Sequence, residues 1–490
     1  MENCGEYFLK QFEEMNVNSA DLCFLPAEKL AAAIRKKEIS PREVVEAVLN
    51  RVETINPKVN AYCTVVPEMA REAARLAEEK VMRREALGPL HGVPFSVKDL
   101  NLTKGVRTTF GSKIFEHFVP QEDGLIVERM KNAGAILMGK TNTPEFGAGA
   151  NTYNEVFGAT RNPWKPTHTC GGSSGGAAVA LACGLGPLAT GSDLGGSLRI
   201  PAAFCGVVGF RTTPGLIPIY PSLLAYDHLG VEGPMARSVR DTALMLSAVA
   251  GEDPRAPLSF PSDPRTFLSA VISPEIRGLK AAWSPDLKII PVDREVREVA
   301  GRAARRFQEL GCTVEEAQPD LQGVREIIFV TRSLRMLASH ADKLEKWREK
   351  MNPNLVWNIE QGFTLTPQRI AEAERERTNL YRRIREFFTR FDLLLTPTVA
   401  VPPFPVEMSY PKEINGRPLE NYTDWFLLTY AMTLTGYPSI SIPCGFTAEG
   451  FPVGLQIVGK KLAETTVLKA AAAFEALSPW REKRPPVAQS

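Results

Sequence analysis

Four residues, a lysine and three serines in glycine-rich loops, have the types that acyl-transfer chemistry needs. Lys98 ends a run of β-branched and aromatic residues in HGVPFSVKDL, Ser173 and Ser174 lie within THTCGGSSGGAAVALACGLG, and Ser197 lies within GSDLGGSLRIPAAFCG. In the last stretch Asp193, Gly195, Gly196 and Ser197 follow a predicted strand and precede a Gly/Ala-rich segment, so backbone N–H groups can converge there. Serine hydrolysis runs on lysine when the amine is neutral. Two loops and a strand-end lysine could therefore supply a nucleophile, a relay and a base without histidine.

Other chemistries compete for the same residues. Gly134, Gly139, Lys140 and Thr141 satisfy the G-x-x-x-x-G-K-[ST] pattern of a phosphate loop, which would make the chain a P-loop nucleotide-binding protein. The four intervening residues are Ala, Ile, Leu and Met, however, and Thr143-Pro144 interrupts the helix that should follow. Gly171, Ser173 and Gly175 fit the esterase pattern G-x-S-x-G, but RNPWKPTHT is not a strand and only His228 and His340 lie downstream. A flexible Gly/Ser linker is opposed by AAVALACGL, which follows at once with the composition of a buried helix. The glycines of 171–176 are better explained as a tight loop feeding that helix, whose N-terminus favours developing negative charge.

The elements that must hold these residues can be read from punctuation and periodicity. Pro26 opens one helix; Ser40, Pro41 and Glu43 give a second its N-cap, N1 proline and capping box. Val44, Val48, Val52 and Ile55 then share one face. A third helix starts at Pro67. HGVPFSVKDL, GAILMGKTN, GLGPLATGSD and GLKAAWSP read as strands, SVRDTALMLSAVAG and DREVREVAGRAARRFQELG as helices closed by glycine. Helices alternating with short apolar strands imply an α/β fold whose sheet is covered on both faces. YPSISIPCGF and GFPVGLQIVG suggest an antiparallel hairpin, hence a large, mixed, twisted sheet. Residues 1–27 read as an N-terminal extension and 28–490 as a single domain, with a peripheral helical insertion at about 324–390 shaping a substrate entrance.

Composition narrows the partners. The 490 residues are 44% hydrophobic and 23% charged, with 58 basic against 56 acidic side chains and a formal charge of +2. That balance carries no footprint for nucleic acid or an anionic membrane, which points to a small-molecule partner. The N-terminal MENCGEYFLKQFEEMN has acids where a secretory signal has bases, and the apolar run 177–189 is too short for a bilayer. The expected location is cytoplasmic. Eight cysteines without a C-x-x-C pair indicate neither a disulfide framework nor a metal site.

GVPFSVKDL, GGSSGGAAVALACGLGPLATGSDLGGSLRIPAAFCGVVGFRTTPG and EGPMARSVRDTALML together closely resemble the amidase signature family, over residues 28 to 475 and most densely over 90 to 250. The resemblance implies the amidase signature fold, no cofactor, and a Ser-cisSer-Lys triad. Carried over by motif, Lys98 is the base, Ser173 the relay with a cis peptide bond, and Ser197 the nucleophile; their spacings of 75 and 24 residues are those of the family. Ser174 is structural, and Asp193 and Arg199 orient the loops. The N–H groups of Leu194, Gly195, Gly196 and Ser197 form the oxyanion hole. Gly147, Ala148 and Gly149 either meet the leaving group with their backbone or merely shape a turn. The base role requires burial to pull the lysine from about 10.4 toward 7 or 8.

Within the family, the SANLARYDG-type stretch of the A-type tRNA amidotransferase protein is missing, the matching region being VTRSLRMLASHADKL. The expectation is a stand-alone bacterial-type amidase, in the region of aryl acylamidases and nylon-oligomer hydrolases. It would act as a monomer or homodimer on a small uncharged amide, with anilides, carbamates (urethanes) and esters as further candidates. The alternative is an amidotransferase-type component that needs partners.

Overall fold

The sequence turns helix on and off through local side-chain chemistry, and the computed structural model, which describes residues 19–489, follows it closely at the N-terminal end. The Ser40 side chain accepts from the Arg42 N–H and the Glu43 carboxylate from the Ser40 N–H, starting the helix Pro41–Val59. Val44, Val48, Val52 and Ile55 are all buried along it. Ala27–Arg35 and Pro67–Met82 flank it as the two other expected helices. Of the 1–27 extension, residues 1–18 lie outside the described residues, and Ser19–Phe24 is a short helix.

Among the described residues eleven strands form one mixed sheet. From edge to edge the order is Tyr62–Val65, Ile136–Thr141, Pro94–Lys98, Leu188–Asp193, Val231–Ala236, Val208–Arg211, Ser439–Phe446, Pro452–Gly459, Leu393–Pro397, Lys280–Trp283 and Thr313–Glu316. Pro94–Lys98 runs parallel to both its neighbours, while Val231–Ala236 is antiparallel to Leu188–Asp193. The C-terminal hairpin is antiparallel as expected. Every residue of Pro94–Lys98, Ile136–Thr141, Val231–Ala236, Leu393–Pro397 and Pro452–Gly459 is buried. Because successive side chains point to opposite faces, such strands must be covered on both sides.

Helix Gly175–Ala182 is buried at all eight positions. Its two leading glycines permit this: a Cβ on Gly176 would stand 2.4 Å from the Asn142 nitrogen, and one on Gly175 2.1 Å from Thr152 Oγ1. The stretch 324–390 holds three helices, Val324–Trp347, Pro353–Phe363 and Pro367–Arg390. Among the described residues no helix is long and apolar enough to cross a membrane, and the seven cysteines there are free thiols.

Candidate active site

The expected catalytic residues converge at the carboxyl ends of two neighbouring parallel strands, where α/β sheets usually hold ligands. Lys98 is the last residue of Pro94–Lys98, and Ser192 and Asp193 end the adjacent Leu188–Asp193. Lys98 is fully buried. Its Nζ lies 2.7 Å from Ser173 Oγ, 2.9 Å from Ser174 Oγ and 2.9 Å from Ser192 Oγ. Hydroxyls can donate or accept, so this cradle suits either protonation state of the amine. Burial pulls Lys98 down to about 7, against the opposing pull of Asp193 and Glu232.

The glycine-serine loop presents its first serine to the lysine through a cis Gly172–Ser173 peptide bond. Ser174, also buried, accepts from the Ser192 N–H at 3.2 Å and donates its own N–H to the Ser197 carbonyl at 3.1 Å, so it ties the two serine loops together. The anion-favouring role expected of the following helix N-terminus does not hold. Its first N–H groups are already spent, Gly175 on Thr152 Oγ1 at 3.2 Å and Gly176 on the Asn142 carbonyl at 3.2 Å.

Ser197 sits partly exposed on the wall of a cavity of about 210 Å³ that Ser173, Asp193 and Leu194 also line. Among the described residues none hydrogen-bonds its hydroxyl, which leaves the oxygen open toward the cavity. The loop bearing it is organised by Asp193, whose carboxylate accepts from the Gly196 N–H at 2.9 Å and the Leu198 N–H at 3.1 Å. Arg199 grips the same carboxylate through Nε at 3.0 Å and Nη2 at 2.9 Å. The remaining Arg199 donors reach the Thr429 carbonyl, Gln456 and Thr433. Arg211 adds a bond to the Asp193 carbonyl at 2.6 Å. Burial alone would raise the Asp193 carboxyl, but Arg199 and Arg211 hold it at about 2.

That geometry corrects the four-donor oxyanion loop. The Gly196 N–H is already taken by Asp193, whereas those of Leu194, Gly195 and Ser197 have no partner among the described residues. Gly196 serves instead through its small size and its φ of +127°, since a Cβ would stand 2.2 Å from Thr429 Oγ1.

The loop at Gly147 divides two spaces. Gly147 lines the catalytic cavity, and a Cβ on it would stand 3.4 Å from Ser173 Oγ. Ala148 and Gly149 instead line a separate cavity of about 330 Å³ with Asn352, Leu355, Tyr410 and Tyr422. The phosphate-loop pattern belongs to neither. Lys140 lies inside strand Ile136–Thr141, fully buried, its Nζ held by the Asn101 carbonyl, by Thr103 Oγ1 at 2.9 Å and by Thr108 Oγ1 at 3.0 Å. A lysine spent in this way cannot reach a phosphate.

Several residues of the site escaped sequence reasoning: Ser192, Asn101, Arg211, Glu232, and the Asp227–Arg335 pair, bonded at 2.7 Å on the cavity wall. Ser192 alone had a signal, since strand alternation places it on the same face as Thr190, whose Oγ1 accepts from the Lys98 N–H at 3.1 Å.

Comparison with known proteins gives the family of the chain. The family model described as Amidase matches residues 43–468. An acylamidase of Rhodococcus erythropolis is 39% identical over 471 residues, covering 95% of this chain and 98% of that protein. The A-type component of the glutamyl-tRNA(Gln) amidotransferase of Carboxydothermus hydrogenoformans is 36% identical, covering 95% of this chain and 99% of its own. Among solved structures, a bacterial aryl acylamidase of the amidase signature family superposes with a TM-score of 0.89 at 31% identity, covering 95% of this chain and 98% of that one.

Proposed function

The chain belongs to the amidase signature family, and from that premise we propose that it is a stand-alone serine hydrolase cleaving C–N bonds of small uncharged amides through an acyl-enzyme. The observation that carries the proposal is the buried Lys98 amine, 2.7 Å from Ser173 Oγ and lowered to about 7 by burial. An amine that is neutral near physiological pH can take a proton from a hydroxyl; an ordinary lysine cannot.

In this reading Ser197 attacks the carbonyl carbon while its proton passes to Ser173 and on to Lys98. The oxyanion is met by the N–H groups of Leu194, Gly195 and Ser197, fixed before substrate arrives by the Asp193–Arg199 pair. The proton returns along the same path to the leaving amine. Water then enters by the same relay and releases the acid. Gly147 offers its backbone beside Ser173, and the small residues there leave room for a bulky or aromatic amine.

The substrate class follows from charge balance on the cavity wall. Asp227 is paired with Arg335, Asp193 with Arg199 and Arg211, and Lys98 is poised neutral. A wall whose aspartates are each paired with arginine suits an uncharged ligand. Anilides, carbamates and esters all present a carbonyl to Ser197, and urethanase or esterase activity accompanies the amidase activity. Residues 28–490 act as one catalytic domain without cofactor or metal, as a monomer or homodimer in the cytoplasm. The helices of 324–390 form a peripheral insertion that shapes the substrate entrance, to which Val324–Trp347 contributes Arg335 and Met336.

Likeness to the amidotransferase component sustains a second reading, a chain that is inert until partners join it. One experiment separates them: initial rates of the purified chain and Ser197→Ala on one aryl scaffold offered as matched anilide, ester and carbamate. Turnover by the isolated wild type and none by the variant supports the stand-alone enzyme, and the rate ranking names the preferred bond. An inert wild type that gains activity with a partner supports the second reading, and an active variant removes Ser197 as nucleophile.

A further inference from the structure

The catalytic cavity holds a buried acid that the relay does not use. Glu232, 9% exposed, is the direct cross-strand partner of Ser192, so both side chains leave the same face of the sheet. Ser192 Oγ in turn accepts from Lys98 Nζ. One Glu232 oxygen, Oε1, accepts from Asn101 Nδ2, and the other, Oε2, is buried without a partner among the described residues.

Asn101 is itself locked to the lysine. Its N–H donates to the Lys98 carbonyl at 3.0 Å, and its Oδ1 accepts from Thr190 Oγ1 at 3.3 Å, the atom that holds the Lys98 N–H. The charged groups on the surrounding elements are Lys98, Asp193 with Arg199 and Arg211, the pair Asp99 and Lys140 at 3.8 Å behind Asn101, and Asp227 with Arg335 across the cavity. Each acid except Glu232 has its own cation. Among the described residues an ionised Glu232 would have only Lys98 to face, and at neutral pH would keep the proton on the amine that has to be free.

We propose that Glu232 is a positioning residue of the relay: as a neutral carboxylic acid it leaves Lys98 a free base at neutral pH, and its ionisation at alkaline pH places a negative charge beside the forming oxyanion and ends activity. A buried carboxylate with one hydrogen-bond donor is poorly compensated, which favours the neutral acid. Its negative charge would also oppose the oxyanion that forms in the same cavity. In agreement, burial pushes the Glu232 carboxyl up to about 8, against the lowering effects of Asn101 and Lys98.

The inference rests on the amidase reading, and kcat/KM against pH on para-nitroacetanilide tests both separately. Wild type should describe a bell, rising as Lys98 loses its proton and falling about tenfold below its plateau one pH unit above the carboxyl's value. Glu232→Gln keeps the Asn101 contact but cannot ionise. It should leave the rising limb where it is and lose the falling one. If the variant does not fold, judged by circular dichroism, Asn101→Ala substitutes for it: loss of the donor destabilises the carboxylate and should move the falling limb to higher pH. An active wild type with no falling limb overturns the inference and leaves the amidase intact. So does a limb that stays put in the folded Gln variant or in Asn101→Ala, or a Gln variant whose rising limb drops to lower pH, since Glu232 would then be ionised at neutrality. A wild type inert at every pH overturns the amidase reading and this inference with it.

Discussion

A lysine amine within 2.9 Å of three serine hydroxyls, with no carboxylate of the described residues bonded to it, is chemically unusual, since buried ammonium groups normally meet an anion. The arrangement makes sense for a group that has to exist as a free base. Because Lys98 is lowered to about 7, its base form dominates above that value and its protonated, inactive form below it. Activity should therefore fall about tenfold per pH unit on the acid side, and a rate that stays flat down to pH about 5 would refute Lys98 as the base. Ser197→Ala should cost on the order of 10⁴-fold or more in kcat with little change in fold, as removal of a nucleophile does elsewhere. Intact-protein mass spectrometry should find the mass of one activated-phosphonate adduct on wild type and none on the variant, which assigns the adduct to Ser197. Asp193 acts one step back: Asp193→Asn would leave Arg199 and Arg211 buried without their anion, and a melting temperature lowered together with kcat would distinguish it from the nucleophile.

The loops are only as well placed as the elements behind them, and helix Gly175–Ala182 is the clearest case. It is pressed against the Asn142 and Ala61 backbones, where a Cβ on Gly176 would stand 2.4 Å and 2.6 Å from main-chain atoms. Gly176→Ala should therefore displace the helix and lower stability by about 1–3 kcal/mol, measured by urea denaturation, while pulling Ser173 away from Lys98 and reducing kcat. Close packing of this kind is visible in sequence as paired glycines, and the capping box at Ser40 and the strand carrying Lys98 are visible for similar reasons, each being a local signal. Val231–Ala236 was not, because Gly233 and Pro234 give it the composition of a turn. The structure accepts them because a Cβ on Gly233 would meet Leu198 Cδ1 at 2.4 Å and the Phe210 carbonyl oxygen at 2.5 Å. Glu232 and Asn101 were hidden for a different reason: their contact spans 131 residues and exists only once strands pair. Lys98 and the two serines stood out because motif residues are recognisable one loop at a time. The taking of the Gly196 N–H by Asp193 depends on loop curvature that no spacing encodes.

Across the whole molecule, formal charge is nearly balanced, and the catalytic cavity pairs Asp193 and Asp227 with arginines while Glu232 and Lys98 face one another without an ion pair. With a formal charge of +2 spread over 490 residues there is no strong field to steer an ion toward the site. Inside, Arg335 on helix Val324–Trp347 reaches over to Asp227, so the pair that neutralises the cavity mouth is assembled from elements 108 residues apart. A charged substrate would have to strip its own hydration and meet a wall whose charges are already spent, and neither cost is recovered. A neutral aryl amide should therefore be turned over with a kcat/KM at least about tenfold above that of the same scaffold bearing a carboxylate or an ammonium, the loss appearing mainly in KM. For the neutral substrate kcat/KM should barely respond to salt, because no long-range attraction is there to screen. Steady-state kinetics on the three scaffolds at low and high ionic strength checks both statements. A carboxylate-bearing amide that outpaces its neutral parent would mean that Arg335 leaves Asp227 to greet the substrate, and the cavity would then be a carboxylate site gated by that exchange.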